Sequence, residues 1–344
     1  MLRRLPMLLL AAWAVPSCEQ PIEDDIAPPP PAPQRYVYQD PRTTAWRVFD
    51  EGGDFRPLVQ PVPGGLVEWT SGSVVGEGRG LARGNTPQDG LMARRAARLL
   101  AARNALLAAG GIAVGPGGNF LNVANGTIRM EATIRDFQEI RNDYDPATRT
   151  ATAAVRIPMY GAHGIIQIAG LGLRETPRPW RWPDAPTGEP AAGTQGEARM
   201  VVLDLRAAAF SPALLPRVLS PDGECVFDAA ELGVAELSWR PAATYVVYQR
   251  PRALGAGPAP ALVKVEPYVV RDGLAPDGDF ANSVGRTFRG AAIFPLCQAG
   301  RGSGTIFLSK AAVEYLRAHP WMRQLFRSGK IVIVVETAPA SRVP

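Results

Sequence analysis

The stretch from Thr86 to Gly111, TPQDGLMARRAARLLAARNALLAAGG, predicts the helix around which one domain folds. Thr86 is a suitable N-cap, Pro87 suits the first helical position, and the glycines at 110 and 111 end the pattern. Its apolar side consists of residues that recur at helical spacing: Met92, Ala96, Leu99, Leu100, Leu106 and Leu107. We therefore expect a long amphipathic helix that covers a sheet.

The polar side of this helix is rich in arginine. It carries Arg94, Arg95, Arg98 and Arg103. Because Arg94 and Arg98 are one turn apart, we take Arg94, Arg95 and Arg98 as candidates for contact with anionic lipid or glycan phosphate. A solvated helix face explains the same residues and stays open as the alternative.

Alternating apolar and polar residues predict strands on both sides of a turn at Asp145-Pro146. The alternating residues are Ile128, Met130, Ala132 and Ile134 before the turn and Ala151, Ala153, Val155, Ile157 and Met159 after it. An earlier strand over 67–75 completes an antiparallel sheet, and the glycines at 76, 78 and 80 are interpreted as a flexible turn. Residues 66–170 are therefore predicted to form an α+β domain.

This region resembles a family of bacterial envelope lipoproteins, the Lpp-twenty and FlgP-type proteins. The resemblance rests on Gly76–Gly78, Gln88–Ala97, Arg103–Leu106 and Asn125–Arg129, in that order. It implies an α+β domain in the periplasm with no known catalytic residues and, in the flagellar members, a ring built from many copies. Two later segments, Val202–Arg206 and Ser211–Leu219, look like the C-terminal part of longer proteins of the same group.

The first residues are typical of an export signal. Arg3 and Arg4 precede the apolar run Leu5–Val15, which is too short to span a hydrocarbon core of about 30 Å. Ser17 and Cys18 follow in a pattern that resembles a bacterial lipobox, so we expect a signal peptide over 1–17 and lipidation at the Cys18 thiol. Several acyl chains would hold the protein on a membrane. An ordinary secretory signal with an incidental cysteine is the alternative.

A tether is expected after the signal. Glu19 follows the lipidated cysteine, and by analogy with enterobacterial sorting this favours the periplasmic face of the outer membrane. The consecutive prolines at 28–31 favour an extended polyproline conformation. Residues 18–65 are therefore predicted to be a tether and an extended N-terminal segment that holds the folded part off the bilayer.

A second α+β domain is predicted over 199–337, after a linker at 171–198 that is rich in Pro, Gly and Trp. Its strands are expected at 200–205, 244–248, 262–270 and 331–335. Ser309 is expected to cap a helix that Pro320 interrupts. The fold class is thus α+β, with two small helix-on-antiparallel-sheet domains. Trp180 and Trp182 of the linker could dock on a domain. Ion pairing is expected among Asp204, Arg206 and Arg217.

The remaining cysteines, Cys225 and Cys297, are expected to form a disulfide. An even pair in an exported chain favours a bond because the periplasm is oxidising. The spacing fits neither a redox motif nor a zinc site. Two buried free thiols are the alternative.

The sequence offers little for catalysis. His163 and His319 are interpreted as loop and helix-end residues, Ser303 as a loop hydroxyl, and no catalytic, cofactor-binding or metal-binding residue is predicted. The net charge of +5 comes from scattered arginines rather than a basic stripe, so nucleic acid is not expected as a partner.

The resulting expectation is a non-enzymatic lipoprotein of the cell envelope. It would act by position and assembly, through self-association or envelope protein partners, with a flagellar role as one version. The alternative is a periplasmic binding module for peptidoglycan, lipopolysaccharide or a secretion partner.

Overall fold

The structure is a computed structural model, and most of the chain after residue 54 can be described. The described residues are 36–39, 46–49, 54–116, 118–120, 137–161, 164–166, 179–183, 198–232, 241–249, 267–270, 279–288 and 290–336. The predicted signal peptide, Cys18, the proline run and His163 lie outside them.

Four α-helices and nineteen strands are formed by the described residues. The helices are α1 Pro87–Gly110, α2 Asp279–Thr287, α3 Lys310–Ala318 and α4 Met322–Arg327. The strands up to residue 158 are β1 Tyr36–Gln39, β2 Trp46–Phe49, β3 Phe55–Pro57, β4 Val59–Val62, β5 Gly65–Glu68, β6 Ser73–Leu81, β7 Ala113–Gly115, β8 Gly118–Asn119, β9 Gln138–Asp145 and β10 Thr150–Pro158. The later strands are β11 Met200–Asp204, β12 Arg217–Leu219, β13 Cys225–Asp228, β14 Thr244–Tyr248, β15 Tyr268–Val269, β16 Ala291–Phe294, β17 Gln298–Ala299, β18 Thr305–Phe307 and β19 Ile331–Val335.

The helix α1 has the bounds that its sequence predicts. The Thr86 hydroxyl accepts a hydrogen bond from the Asp89 backbone N–H at 3.2 Å, and the Asp89 carboxylate accepts one from the Thr86 backbone N–H. This reciprocal capping box and Pro87 fix the start of the helix. Gly111 follows the last helical residue as the C-cap. The predicted helix is therefore confirmed.

The side of α1 that faces the sheet is the opposite of the one expected. Its buried residues are all small: Gly90, Ala93, Ala97, Ala101, Ala102, Ala105, Ala108, Ala109 and Gly110. Of the apolar set expected inside, Leu106 is half-buried, whereas Met92, Ala96, Leu99, Leu100 and Leu107 are exposed. The helix thus packs through alanine, and its leucines face solvent.

The reason lies in β6, which was expected to contain a flexible turn over its glycines. Gly76, Gly78 and Gly80 are instead regular strand residues, and a Cβ at any of them would come closer than 3.0 Å to backbone atoms of α1. Two strand residues span about 6.6 Å and four helical residues about 6.0 Å, so glycines two apart match alanines four apart. Because of this matched spacing, α1 lies so close to β6 that no leucine side chain fits between the helix and the strand.

The N-terminal sheet has the strand order β4-β5-β6-β10-β9 and is antiparallel throughout. The turn at Asp145-Pro146 and the strand after it, β10, are confirmed, but the first strand of the hairpin is β9, which the sequence pattern did not predict. The strand expected over 128–134 lies outside the described residues. In place of one strand over 67–75 there is a second hairpin, β5–β6, with its turn between Glu68 and Ser73.

The C-terminal half contains two further sheets. The larger has the order β15-β16-β11-β19-β14-β3, and its central strands β16, β11, β19 and β14 are parallel. The antiparallel arrangement expected here is therefore wrong. The physical reason is that these strands are buried along their whole length, which is typical of parallel sheets. The smaller sheet has the order β13-β12-β18-β17.

Several local predictions in this half are confirmed. Strands β14 and β19 have the predicted bounds, and β11 begins at the predicted residue. Ser309 caps α3 through a hydrogen bond from the Ala312 N–H at 3.2 Å, and α4 follows Pro320. Mixed α+β is thus the fold class of the chain.

The chain from Arg35 to Pro344 forms one compact unit. Strand β3 pairs with β14 in the large C-terminal sheet, whereas β4, two residues later, belongs to the N-terminal sheet. Between them, Leu58 is fully buried and donates to Thr70 Oγ1, whose hydroxyl donates to the Tyr245 carbonyl. The segment expected as tether therefore enters the fold by Phe55. The division at 171–198 stays a prediction. Within it, Trp180 is buried and Trp182 packs on Phe326.

Candidate functional site

Most of the large hydrophobic side chains that are exposed among the described residues lie on the outer surface of α1. The exposed chains on this helix are Leu91, Met92, Leu99, Leu100 and Leu107. Leu99 is 63% exposed and Leu91 is 64% exposed. Single exposed leucines are ordinary on a protein surface, but a cluster on one helix marks an interaction surface. We call Met92, Leu99, Leu100 and Leu107 the α1 stripe. Leu91 does not belong to it, because Leu91 lies on a different side of the helix.

Contacts at the sheet define the two sides of α1. Asn104 donates to the Glu77 carbonyl of β6 at 2.7 Å, so Asn104, Leu100 and Leu107, one turn on either side of it, lie on the β6 side. Arg98 pairs with Glu139 of β9 at 3.2 Å, so the β9 side contains Arg98 and Leu91, seven residues earlier. The stripe and Leu91 therefore flank the helix on different sides.

The predicted anion-contact residues differ in their surroundings. Arg98 is held by Glu139 and lies over the ring of Phe137 at 5.6 Å, so its charge is partly neutralised. Arg94 and Arg95 are exposed, and no ion pair is formed with either by the part of the chain that the structure describes. The structure does not bring the three together as one site.

Beside the stripe, part of the edge of β6 has no partner among the described residues, and no sequence pattern predicted this edge. Strand β5 pairs with β6 only as far as Gly76, and the Glu77 N–H then reaches the Gly64 carbonyl at 3.0 Å. Beyond it, no described residue pairs with Arg79 or Leu81 on that side. Leu81 is 71% exposed. An unpaired strand is a template on which another strand can form.

A groove of about 490 Å³ runs along this edge. Its walls include Gly64 and Leu66 of the β4–β5 hairpin, Arg79 of the edge itself, and Leu100 and Asn104 of α1. Glu77, Thr152 and Arg141 line it as well, so the groove combines backbone hydrogen-bonding groups with charged and apolar side chains, a mixture that suits a polypeptide segment.

The predicted disulfide is not formed, because Cys225 and Cys297 are free buried thiols. Cys225 is paired with Leu219, Leu219 with Phe307, and Phe307 with Gln298, in one row across four strands. Three steps of about 4.8 Å separate the ends of the row by about 14 Å. Cys297 is one residue from Gln298, about 3.8 Å away, so its Cα lies beyond the limit of about 7 Å for a bond.

Both thiols are chemically quiet. Burial raises the pKa of Cys225 to about 12, with the neighbouring Asp228 charge adding to the effect. Burial also raises the pKa of Cys297 well above its usual range, and its thiol donates to the Phe294 carbonyl at 3.4 Å. A raised pKa keeps the thiol protonated at neutral pH, and only the thiolate is a nucleophile.

A thiol titration tests this correction. In unreduced native protein at pH 8 we expect no fast reaction of Cys225 or Cys297 with a disulfide reagent. The pKa of about 12 leaves about one Cys225 thiol in 10⁴ ionised, and burial also raises the pKa of Cys297 well above its usual range. In denaturant both should react, giving two thiols per chain whose Cys18 is lipidated. If both thiols of the denatured protein could be titrated only after reduction, Cys225 and Cys297 would form the disulfide after all.

The predicted ion-pair cluster is split into two pairs. Arg206 binds Asp204 through two hydrogen bonds of 2.9 Å and lies over the ring of Phe280 at 3.5 Å. Arg217 pairs instead with Asp228 at 2.8 Å, across the β12–β13 hairpin. Both pairs hold the ends of strands and have the environment of structural contacts.

His319 and Ser303, and the buried Tyr245 that the sequence did not single out, also have structural partners. His319 is the C-cap of α3, where its Nδ1 contacts the Tyr315 carbonyl at 2.9 Å and its ring stacks on that of Tyr315. Ser303 faces Ser211 at 3.2 Å in an exposed loop. Burial raises the pKa of Tyr245, and its hydroxyl donates to the Ala213 carbonyl.

Comparisons with known proteins add no family. No protein-family model matches the chain, and no curated protein is similar to it. Within the described ranges, no group of His, Cys, Asp and Glu is arranged to hold a metal ion, and none of the helices is long and apolar enough to cross a membrane.

Proposed function

We propose that the protein is a non-enzymatic lipoprotein anchored at the periplasmic face of the outer membrane, with a structural or assembly role in the cell envelope. The observation that carries the assembly role is the exposed α1 stripe, together with the open edge of β6. Burying one leucine is worth about 1.5–3 kcal/mol, so four exposed apolar chains beside an unpaired strand favour a protein partner.

The anchor is supported by the start of the sequence. Arg3 and Arg4, the apolar run and Cys18 follow one another as a lipoprotein signal requires. Each buried acyl methylene is worth about 0.8 kcal/mol, so several chains on one cysteine would make membrane attachment stable. The resemblance to FlgP-type lipoproteins makes the flagellar basal structure the first process to examine, through the motility of a strain that lacks the gene.

Substitution of the lipidation site tests the anchor. We expect Cys18→Ala to move the protein from the membrane pellet to the soluble periplasmic fraction, because it removes the only thiol available to the acyl chains in that segment. Gln20→Ala, two residues away, is the matched control and should remain in the pellet. A Cys18→Ala protein that still sediments with membranes, together with an unacylated wild-type N-terminus by mass spectrometry, would refute the lipoprotein assignment.

A second candidate is a binding module for peptidoglycan or lipopolysaccharide. The exposed side chains of Arg94 and Arg95 favour it, since both are available to phosphate or carboxylate groups. The double variant Arg94→Gln/Arg95→Gln should then lose binding to purified sacculi in a sedimentation assay. Retention of wild-type binding, or no binding by the wild type, would leave the assembly role as the better explanation.

A further inference from the structure

Part of the β6 backbone has no hydrogen-bond partner among the described residues, and its groups point in a regular pattern. The Ala82 N–H bonds to Arg149, which precedes β10, whereas the Glu77 N–H bonds to Gly64 on the opposite side. In an antiparallel strand the N–H and C=O of one residue point toward the same edge of the strand, and those of the next residue point toward the other edge. Arg79 and Leu81 therefore direct two N–H and two C=O groups away from β10, into the groove.

We propose that a second copy of this chain occupies this edge, with its own β6 antiparallel to the first. The two N-terminal sheets would continue into each other about a two-fold axis, and the two α1 helices would lie side by side on the same face. This inference rests on the proposed assembly role and names its partner. A symmetric contact of this kind uses the same patch on both copies.

The charges select one register for this pairing. With Gly80 opposite the partner's Gly80, Arg79 lies opposite the partner's Leu81, and the two residue pairs exchange four backbone hydrogen bonds. A register with Arg79 opposite the partner's Arg79 would place like charges about 5 Å apart, which is destabilising. A register centred on Leu81 would place Arg79 opposite the partner's Arg83, which again brings two like charges together.

The helices fit the same arrangement. Helix α1 runs antiparallel to β6 and contacts β6 and β10, and Gly80 faces its turn from Ala93 to Ala97. Adjacent strands are about 4.8 Å apart, so two helices that each lie half a spacing inside their edge would be about 10 Å apart. Packed helices have axes separated by about 8–10 Å. The pairing thus brings the two helices into contact distance.

The sequence of the stripe is complementary to itself about this centre. When Ala96 opposes the partner's Ala96, Met92 lies near the partner's Leu100, and both are exposed in the single chain. Seven residues from the centre, Arg103 lies near the partner's Asp89, so opposite charges meet at both ends. Apolar contact in the middle and ion pairs at the rim are typical of protein interfaces.

The surface is large enough for a specific contact only when helix and strand edge act together. With Ala96 at the centre, the two helices overlap over residues 87–105, which is about 28 Å at 1.5 Å per residue, so a stripe about 10 Å wide covers about 280 Å² of each copy. The strand edge and the β4–β5 turn bring this to about 500 Å² a side, or about 1,000 Å² in total, which is the least area expected of a specific interface. Loss of either part should therefore dissociate the pair.

Cross-linking tests the edge and its register. We mix lipidated full-length Arg79→Cys and Leu81→Cys chains in detergent and oxidise them gently. A disulfide-linked dimer should form between the two variants and not within either variant alone, since residue 79 faces the partner's residue 81. Asp143→Cys on β9, the far edge of the same sheet, is the control and should not link to either variant. Equal linking by all three would overturn the proposal.

The second measurement is the mass of the same full chain by light scattering in detergent. We expect a dimer for the wild type and for Leu91→Glu, and a monomer for Leu100→Glu, although the two leucines are both exposed on α1. A wild-type monomer, or a Leu100→Glu dimer, would overturn the proposal. Membrane release of Cys18→Ala is unaffected by either outcome, so failure of the pairing and failure of the anchor are distinguishable.

Discussion

Replacement of Gly78 by alanine is expected to lower the free energy of unfolding by about 3 kcal/mol or more, although the change adds one methyl group. The new Cβ would come closer than 3.0 Å to the carbonyl oxygen of Ala97 and the backbone nitrogen of Ala101. Both are backbone atoms, so no side-chain rotation can relieve the overlap. The helix must move off the sheet, and the alanine contacts on both sides of Gly78 would be lost with it.

Denaturant titration of the variant against the wild type measures this effect through the midpoint at constant slope. Gly111→Ala is the matched control, because it has a negative φ of −81 and a Cβ there would meet only the Ala108 carbonyl, at 3.6 Å. We expect the control to lose less than about 0.5 kcal/mol. Similar losses for the two variants would mean that α1 does not depend on close approach to β6.

The bounds of α1 could be predicted because they depend on nearby residues. Thr86, Asp89 and Pro87 form the cap among themselves, and the glycines at 110 and 111 end the helix locally. Strands β14 and β19 were predictable for a similar reason, since each is a short continuous apolar run. Their parallel pairing was not, because it depends on which strand lies next to which.

The burial of α1 could not be predicted from the helix alone. Leucine is more apolar than alanine, so ranking by hydrophobicity places Leu99 and Leu107 inside and leaves Ala97 and Ala101 undecided. The surface of the partner element decides instead, and the glycines of β6 accept only a small side chain. Glycines at every second residue followed by alanines at every fourth form the signal that would have identified this packing.

The candidate site was hidden from the sequence for a related reason. Whether Arg79 and Leu81 are paired depends on where β5 begins, and that start is set by the turn at Gly64. The disulfide expectation failed in the same way. Counting cysteines ignores the sheet, where Cys225 and Cys297 lie at opposite edges.

Removal of Arg217 is expected to have the largest effect of any charge substitution at the sites described. The side chains of Arg217 and Asp228 are 13% and 6% exposed, and two guanidinium nitrogens bond the Asp228 Oδ2 atom at 2.8 Å. Arg217→Met keeps the length of the side chain and leaves a buried carboxylate without its charge partner. Breaking a buried pair in this way costs about 3–5 kcal/mol, so we expect a loss of that size in the free energy of unfolding.

A second substitution separates the buried charge from the lost packing. Arg217→Met/Asp228→Asn should recover most of the loss, because the amide is neutral and can still accept the Ala230 N–H that Asp228 accepts at 3.0 Å. Arg286→Met provides the control, since that guanidinium is 68% exposed in its pair with Asp54 and should contribute less than about 1 kcal/mol. Equal losses for Arg217→Met and Arg286→Met, with no recovery in the double variant, would show that burial does not set the strength of these pairs.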